Sequence, residues 1–389
     1  MTSEAELSDA AVSEPDYRRI MSDKALASVS KWTEPIDEDK AEDEVADYRR
    51  HTMRKWLFMA VCAVIVVVVM GYALTVGDYH IGFWETYELL WNHINGYVPV
   101  ENFTKDWVVV QMRLPRIIAG VIAGAGLACC GAVLQSTLLN PLADTYTTGV
   151  SSGASFGATI SMVAGVTILS GPYALVTNAF IFAMIPVAVI VLTTKKKSSS
   201  PTTLIMAGIA IMYIFNALTT ALQLRADPDA LATIYQWQVG TLTMVDWDDT
   251  FVMLLVTAIG LVVMIMLSRS INVLATGDES ANSMGVNASR LRIIALVVST
   301  VVTAGIVAFT GPIGFVGLVA PHIVRLFIGA DNRYLIPASA IFGSALMVTA
   351  DLLGRTVIAP AVLEVGVVMA FLGGPMFLWL VMRKNSNVW

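Results

Sequence analysis

VVVQMRLPRIIAGVIAGAGLACCGAVLQ, residues 108–135, is long and apolar enough to cross a bilayer, yet it opens with Arg113 and Arg116 on either side of Pro115. A spanning helix needs roughly 17–25 mostly apolar residues, and fixed charge at its boundary has to find water or a partner. The side of the membrane on which those two arginines lie follows from the rest of the chain.

The 389 residues are 56% hydrophobic and 14% charged, with a mean hydropathy of +0.70. Such a composition excludes an ordinary water-soluble surface and implies a polytopic, all-helical membrane protein. The net charge of -6 belongs to one end. Residues 1–50 hold 14 acidic against 7 basic groups, which leaves 16 against 17 for the remainder. This divides the chain into an acidic, flexible cytoplasmic extension, 1–50, and a transmembrane domain, 51–389. The extension has no pattern of a cleavable leader.

Apolar segments near 56–76, 115–138, 149–168, 173–193, 203–222, 250–267, 291–310, 313–327, 335–353 and 365–382 predict ten spans. Lys and Arg concentrate in alternate loops: YRRHTMRK at 48–55, KKK at 195–197, Arg269, Arg290, Arg292, Arg325, Arg333 and RK at 383–384. The positive-inside bias therefore predicts cytoplasmic termini and places Arg113, Arg116 and Arg355 at the outer face, against the prevailing trend. Gly149, Gly153 and Gly157 form a small-residue stripe for close helix packing. LPRIIAG at 114–120 echoes LRIIALV at 291–297. Those helices run oppositely, so spans 2–5 and 7–10 read as an inverted repeat.

The chemistry-bearing residues are few. Cys62, Cys129 and Cys130 lie in apolar runs and the four histidines are scattered, so neither a disulfide framework nor a metal site is expected. No GxxxxGK[ST] phosphate loop or nucleophile motif occurs, and the chain reads as non-catalytic. Asp351 and Arg355, four apart, are placed to form a local ion pair. No carboxylate, lysine or histidine sits clearly at mid-span, which disfavours an ion-coupled secondary transporter and points to energy supplied from outside. The loop from Ser268 to Arg292 centres on GDESANSMG, which predicts one or two short helices punctuated by Gly277 and Gly285.

Taken together, MRLPRIIAGVIAGAGLACCGAVLQSTLLNPLAD at 112–144, GVSSGASFGA at 149–158, LATGDESANSMGV at 274–286, GPIGFVGLVAPHIVRL at 311–326, ADLLGR at 350–355 and GVVMAFLGGPMFLWLVMRK at 366–384 resemble the permease subunits of FecCD/BtuC-type ABC importers. These carry iron chelates, haem or cobalamin. The resemblance runs through residues 55–384 and implies a ten-helix permease fold. It also implies a second permease copy, a homodimer being the simpler expectation, two ATP-binding-cassette ATPases, and an extracytoplasmic substrate-binding protein in the cytoplasmic (inner) membrane of a prokaryote.

By the same resemblance, Arg113, Arg116 and Arg355 dock carboxylates of the binding protein. Gly277, Asp278, Glu279, Ala281 and Gly285 form the ATPase coupling loop, and Asn140, Leu142, Pro201 and Thr202 line the cytoplasmic gate. The chain itself would bind no cofactor, ATP and Mg being used by the partner ATPase, and no nucleic acid. The cargo expected is an iron(III)-siderophore-type chelate, with cobalamin or haem as alternatives. Two departures from the family pattern stand out. Val362-Leu363-Glu364 replaces a Glu-Leu-Pro before the last span, and Thr145 replaces a frequent proline.

Overall fold

A computed structural model describes residues 38–77, 79–194 and 200–382. The stretch 1–37, the lysines at 195–197 and the RK at 383–384 lie outside the described residues. No β-strand occurs among the described residues. The helices are α1 Glu38–Thr75, α2 Phe83–Ile94, α3 Leu114–Thr137, α4 Val150–Ala164, α5 Ala174–Thr194, α6 Pro201–Gln223, α7 Pro228–Val239, α8 Trp247–Leu274, α9 Asp278–Ser283, α10 Ala288–Thr310, α11 Val316–Ile328, α12 Asn332–Thr356 and α13 Val365–Met382. The chain divides into two compact units, Met1–Met53 and Arg54–Trp389.

Each of the ten apolar segments corresponds to one helix. Seven, α1, α3, α5, α6, α8, α10 and α12, are long and apolar enough to cross a bilayer, while α4, α11 and α13 are shorter. At about 1.5 Å per residue, the 13 residues of α11 fall well short of a hydrocarbon core of about 30 Å. The gap is filled by irregular backbone at residues 311–315, where Phe315 takes φ 68°. Irregular backbone at such depth is tolerated only where protein surrounds it. Here Thr241 donates to the Thr310 carbonyl at 2.7 Å, and Ile313 is fully buried. One boundary moved substantially. The first helix begins at Glu38, because the polar stretch before residue 56 lacks any breaker and continues the turn pattern.

Side-chain caps set the starts of several helices. Ser200 accepts from Thr203 N ahead of Pro201, Asp227 accepts from Ala230 N ahead of Pro228, and proline at the first helical position gives up no needed hydrogen bond. Asp246 and Asp249 cap α8 reciprocally, Asn287 caps α10 and Asp331 caps α12.

Helix α3 is the axis of the unit. Its most apolar stretch is 83% buried, against 28% for α1, α6 and α8, which leave rows such as Val61, Val64 and Val68 exposed. The centre is tightest where backbones touch. A Cβ on Gly131 would stand 1.9 Å from the Gly317 carbonyl oxygen of α11, and one on Gly124 would stand 2.3 Å from that of Gly343 in α12. The glycine stripe read in α4 does the same against α5: a Cβ on Gly153 would lie 2.4 Å from the Phe182 oxygen, and one on Gly157 2.5 Å from that of Asn178. Close backbone approach is how membrane helices gain dispersion contact without a hydrophobic driving force between them. Helix α10 joins the two halves. Ala295, Val302 and Ile306 pack into the cluster around α3, α8 and α12, and Leu296, Ala304 and Val307 into the cluster around α4–α6.

Candidate functional sites at the two ends of the bundle

The start of α3, the end of α12 and the end of α1 meet at one end. A short helical turn, Phe103–Trp107, and a π-helical stretch, Val108–Arg113, lead into α3, and Trp247 Nε1 donates to the Val110 carbonyl at 2.9 Å to hold that stretch in place. The wider π turn sets Arg113 against the C-terminus of α1, where its guanidinium donates to the carbonyls of Leu74 and Tyr79. Arg355 Nη1 donates to Ala73 O at 3.1 Å and Val76 O at 2.9 Å. Cations suit these positions because the last carbonyls of a helix have no partner within it and carry its negative dipole end.

Asp351 lies among the arginines. Its Oδ1 accepts from Arg116 Nε at 2.9 Å, and its Oδ2 lies 3.0 Å from Arg355 Nη2, which gives the ion pair that the four-residue spacing implied. Asp351 is 2% exposed, Arg113 6% and Arg355 8%. The side chain of Arg116 retains 13%. The structure therefore brings all three arginines of the sequence reading to one cavity, and draws them inward, two onto one carboxylate and Arg113 onto backbone carbonyls, instead of presenting them on an open face. They line a cavity of about 330 Å³ together with Gly77, Thr243 and Val362. Three guanidinium groups on one cavity, with a single carboxylate between two of them, make a strongly cationic pocket suited to a carboxylate of another molecule.

At the opposite end, α8 turns at Gly277, whose φ of 104° is a conformation that favours glycine. The single short helix α9 follows, and Gly285, at φ 84°, turns the chain towards α10. Asp278 opens α9 and is held by Arg292: Nη1 donates to Oδ2 at 2.7 Å and Nη2 to Oδ1. Arg292 Nε also donates to the Thr137 carbonyl at the end of α3, at 3.0 Å. Arg292 is 2% exposed. Its hydrogen bonds hold the Asp278 carboxyl below the usual carboxylate range. Ala281 is fully buried and anchors α9, whereas Glu279, Asn282, Ser283 and Met284 face outward. The result is a rigid knob wired to the central helix through one buried arginine.

Of the gate residues, Asn140 folds its own turn by accepting from Leu142 N at 2.9 Å, and Leu142 is 47% exposed. Pro201 and Thr202 begin α6. The segment after α3 packs on α6 at Gly208, where a Cβ would stand 2.6 Å from the Thr147 oxygen, about two turns in from Pro201. Within that segment Asp144 is buried, and burial pushes its carboxyl up to about 6 despite hydrogen bonds from Thr145. Thr145, at the position of the frequent proline, supplies those bonds through its N–H and hydroxyl.

Sequence reasoning counted Arg292 and Arg325 only as marks of an inner face. The structure makes both internal ties. Arg325 Nη1 donates to Gln135 Oε1 at 3.2 Å, and Gln135 Nε2 donates to the Gly317 carbonyl at 3.2 Å. An arginine within a mostly apolar helix, with a glutamine in the apolar run of another, was the signal available. Among the described residues no group of three or more His, Cys, Asp or Glu could hold a metal ion.

The FecCD transport family matches residues 63–383. A protein of Methanocaldococcus jannaschii described as an ABC transporter permease is 39% identical over 88% of this chain and 98% of its own length. The cobalamin import system permease protein of Halobacterium salinarum is 39% identical over 72% of this chain and 75% of its own. The hemin transport system permease protein of Yersinia pestis is 35% identical over 72% and 84%. Among solved structures, an ABC transporter described as of metal-chelate type, in an inward-facing conformation, superposes with a TM-score of 0.73 at 28% identity. It covers 84% of this chain and 98% of that one.

Proposed function

The chain belongs to the FecCD transport family, and from that premise we propose that it is the permease through which an ATP-driven importer moves an iron(III)-siderophore-type chelate into the cytoplasm. It is a multi-pass membrane protein and a non-catalytic transport subunit, with ATP hydrolysis left to a separate ATPase. The finer assignments are our own reading. Two copies of the chain pair as a homodimer in a prokaryotic inner membrane, with both termini and the α9 knob cytoplasmic. The arginine end is outermost.

The observation that carries this reading is the division of labour between the two ends. One offers a cationic pocket that fits carboxylates of a substrate-binding protein, and the other offers a braced knob that fits a cleft in an ATPase using ATP and Mg. The inner loops bearing Asn140, Leu142, Pro201 and Thr202 would narrow the pore between them. Cobalamin or haem is the second reading, favoured by the cargoes named for the Halobacterium and Yersinia relatives.

Proteoliposomes holding the permease with its ATPase and binding protein should accumulate radiolabelled ferric chelate only when ATP is present. Uptake by the permease alone, driven by a proton or sodium gradient, would overturn the reading in favour of a secondary transporter. Accumulation of cobalamin or haem in place of the ferric chelate would select the second cargo.

Arg116 is the arginine of the three that holds no carbonyl of α1; it is tied only to Asp351 and keeps 13% of its side chain exposed, so it is the one best placed to reach a docking carboxylate. The Arg116→Gln variant is expected to weaken apparent affinity for the binding protein about tenfold, mostly through slower association. Basal ATPase activity should be unchanged. Wild-type stimulation at every binding-protein concentration would remove Arg116 from the docking surface.

A further inference from the structure

The start of α12 carries a second cationic feature that the transport cycle does not use. Arg333 separates two hollows of about 430 Å³ each. One, between α1 and α12, is walled by Trp56, Met59, Ala60 and Ile341. The other, against α8, is walled by Ile265 and Met266 and rimmed by Arg269. Apart from Arg333, Arg269, Ser268 and the Tyr334 hydroxyl, the linings are apolar.

Cationic groups gather at the same level. Lys55 Nζ sits 4.6 Å from the centre of the Tyr334 ring and the Arg333 guanidinium 5.8 Å from it, so both cations lie against one aromatic ring. Trp56 meets the same ring edge-on at 6.4 Å. Among the described residues, Asp331 is the carboxylate of the group. Arg333 Nη2 donates to it at 2.7 Å, and Asn272 Nδ2 donates to it at 2.7 Å, so it is committed to bracing α8 against α12. Among the described residues, Lys55, Arg269 and Arg333 thus outnumber the acid by two. A Trp–Tyr pair beside cations at the mouth of an apolar groove is the composition of a hydrocarbon–headgroup boundary, and basic pockets between membrane helices select anionic headgroups.

We propose that Arg333 is the headgroup anchor of a site for an anionic glycerophospholipid, with one acyl chain in each flanking hollow and the phosphate shared with Lys55 and Arg269. The occupant has to be both two-tailed and negative, because the hollows straddle the cation instead of enclosing it. The site needs only that the chain be membrane-embedded, and stands whichever cargo is carried. It also lies beside the Asn272–Asp331 tie in the last turn of α8, ahead of α9, so a bound lipid would stiffen the stem of that knob.

The test is lipid retention by the purified chain, measured by native mass spectrometry after release from nanodiscs of phosphatidylglycerol or phosphatidylcholine. At about 1 kcal/mol per net cation near a headgroup, wild-type protein should prefer phosphatidylglycerol roughly thirtyfold. The double variant Lys55→Gln/Arg269→Gln, which leaves the Arg333–Asp331 tie intact, should bring that preference close to parity. Ala60→Trp, which fills one hollow at an exposed position without touching charge, should lower retention of both lipids. Equal retention of the two lipids by wild-type protein, or unchanged selectivity in the double variant, would overturn the proposal. So would heat protection by inorganic phosphate equal to that by phosphatidylglycerol, which would mean a free-anion site. Hollows covered by a second copy of the chain would retain no lipid at all, which also overturns it.

Discussion

Replacing Asp351 with asparagine is expected to destabilise the folded permease by about 3 kcal/mol, the low end of what removing one member of a buried ion pair costs. The reason is arithmetic of charge at short range. Arg116 and Arg355 converge on Asp351 within hydrogen-bond distance, and Arg113 shares the cavity with them. Without the carboxylate, the three guanidinium groups face one another with only carbonyl dipoles and pocket water to screen them. The shape of the side chain barely changes, so lost packing contributes little.

Thermal unfolding of the detergent-purified chain should therefore show a fall of several degrees for Asp351→Asn. Adding Arg355→Gln to that background should recover part of the loss, because it removes one of the repelling charges. An asparagine variant as stable as wild type would mean that solvent in the pocket already neutralises the arginines. The carboxylate would then have no structural role.

The second large effect is expected at Arg292. Truncation to methionine keeps much of the buried volume but removes three donors: two to Asp278 and one to the Thr137 carbonyl. Roughly 2–3 kcal/mol of local stability should be lost, discounted from the fully buried case because Asp278 is partly open to water. The more telling result is functional. Helix α9 would keep its sequence and exposed face yet lose its connection to α3, so ATPase should still bind while transport per ATP falls at least about tenfold.

Asp278→Asn should reproduce part of this loss, and the double variant should be no worse than Arg292→Met alone, the mark of two residues acting as one unit. The pH sign follows from the lowered Asp278 value. A carboxylate stabilised in the folded state contributes stability that is present above its ordinary value near pH 4 and is lost as pH falls through the lower folded one. The tie is thus intact throughout the neutral range. Coupling that persisted in Arg292→Met would show that force reaches the bundle by another route.

Much of the architecture could be read in advance because each span has a local cause. Apolar length located the ten apolar helices, whereas the caps at Ser200, Asp227 and Asp331, and the helix that Asp227 opens, went unread because a single polar residue beside an apolar run carries no period. Gly277 and Gly285 bounded α9 as glycines with positive φ must. The Asp351–Arg355 pair followed from helical spacing alone. The set of tertiary partners was hidden. Nothing near Arg113 in the chain announces that its acceptors are carbonyls 39 and 34 residues earlier, because every residue has a carbonyl and only the fold decides which ones are left over. Arg292 and Arg325 were read as surface charge since a positive-inside count weighs loops and cannot tell an arginine facing water from one turned inward.

The bare backbone contacts of α3 with α11 and α12, and of α4 with α5, have a mechanical meaning. Surfaces joined through long side chains can creep by exchanging rotamers, but carbonyls seated on Cα atoms have no such play. Each glycine seam acts as a rivet. In the proposed import cycle, alternation between two pore states would therefore swing two stiff plates against each other about α10, which packs into both clusters. Paired labels across either seam should keep their separation through a transport cycle, while labels placed from α4 to α12 should not.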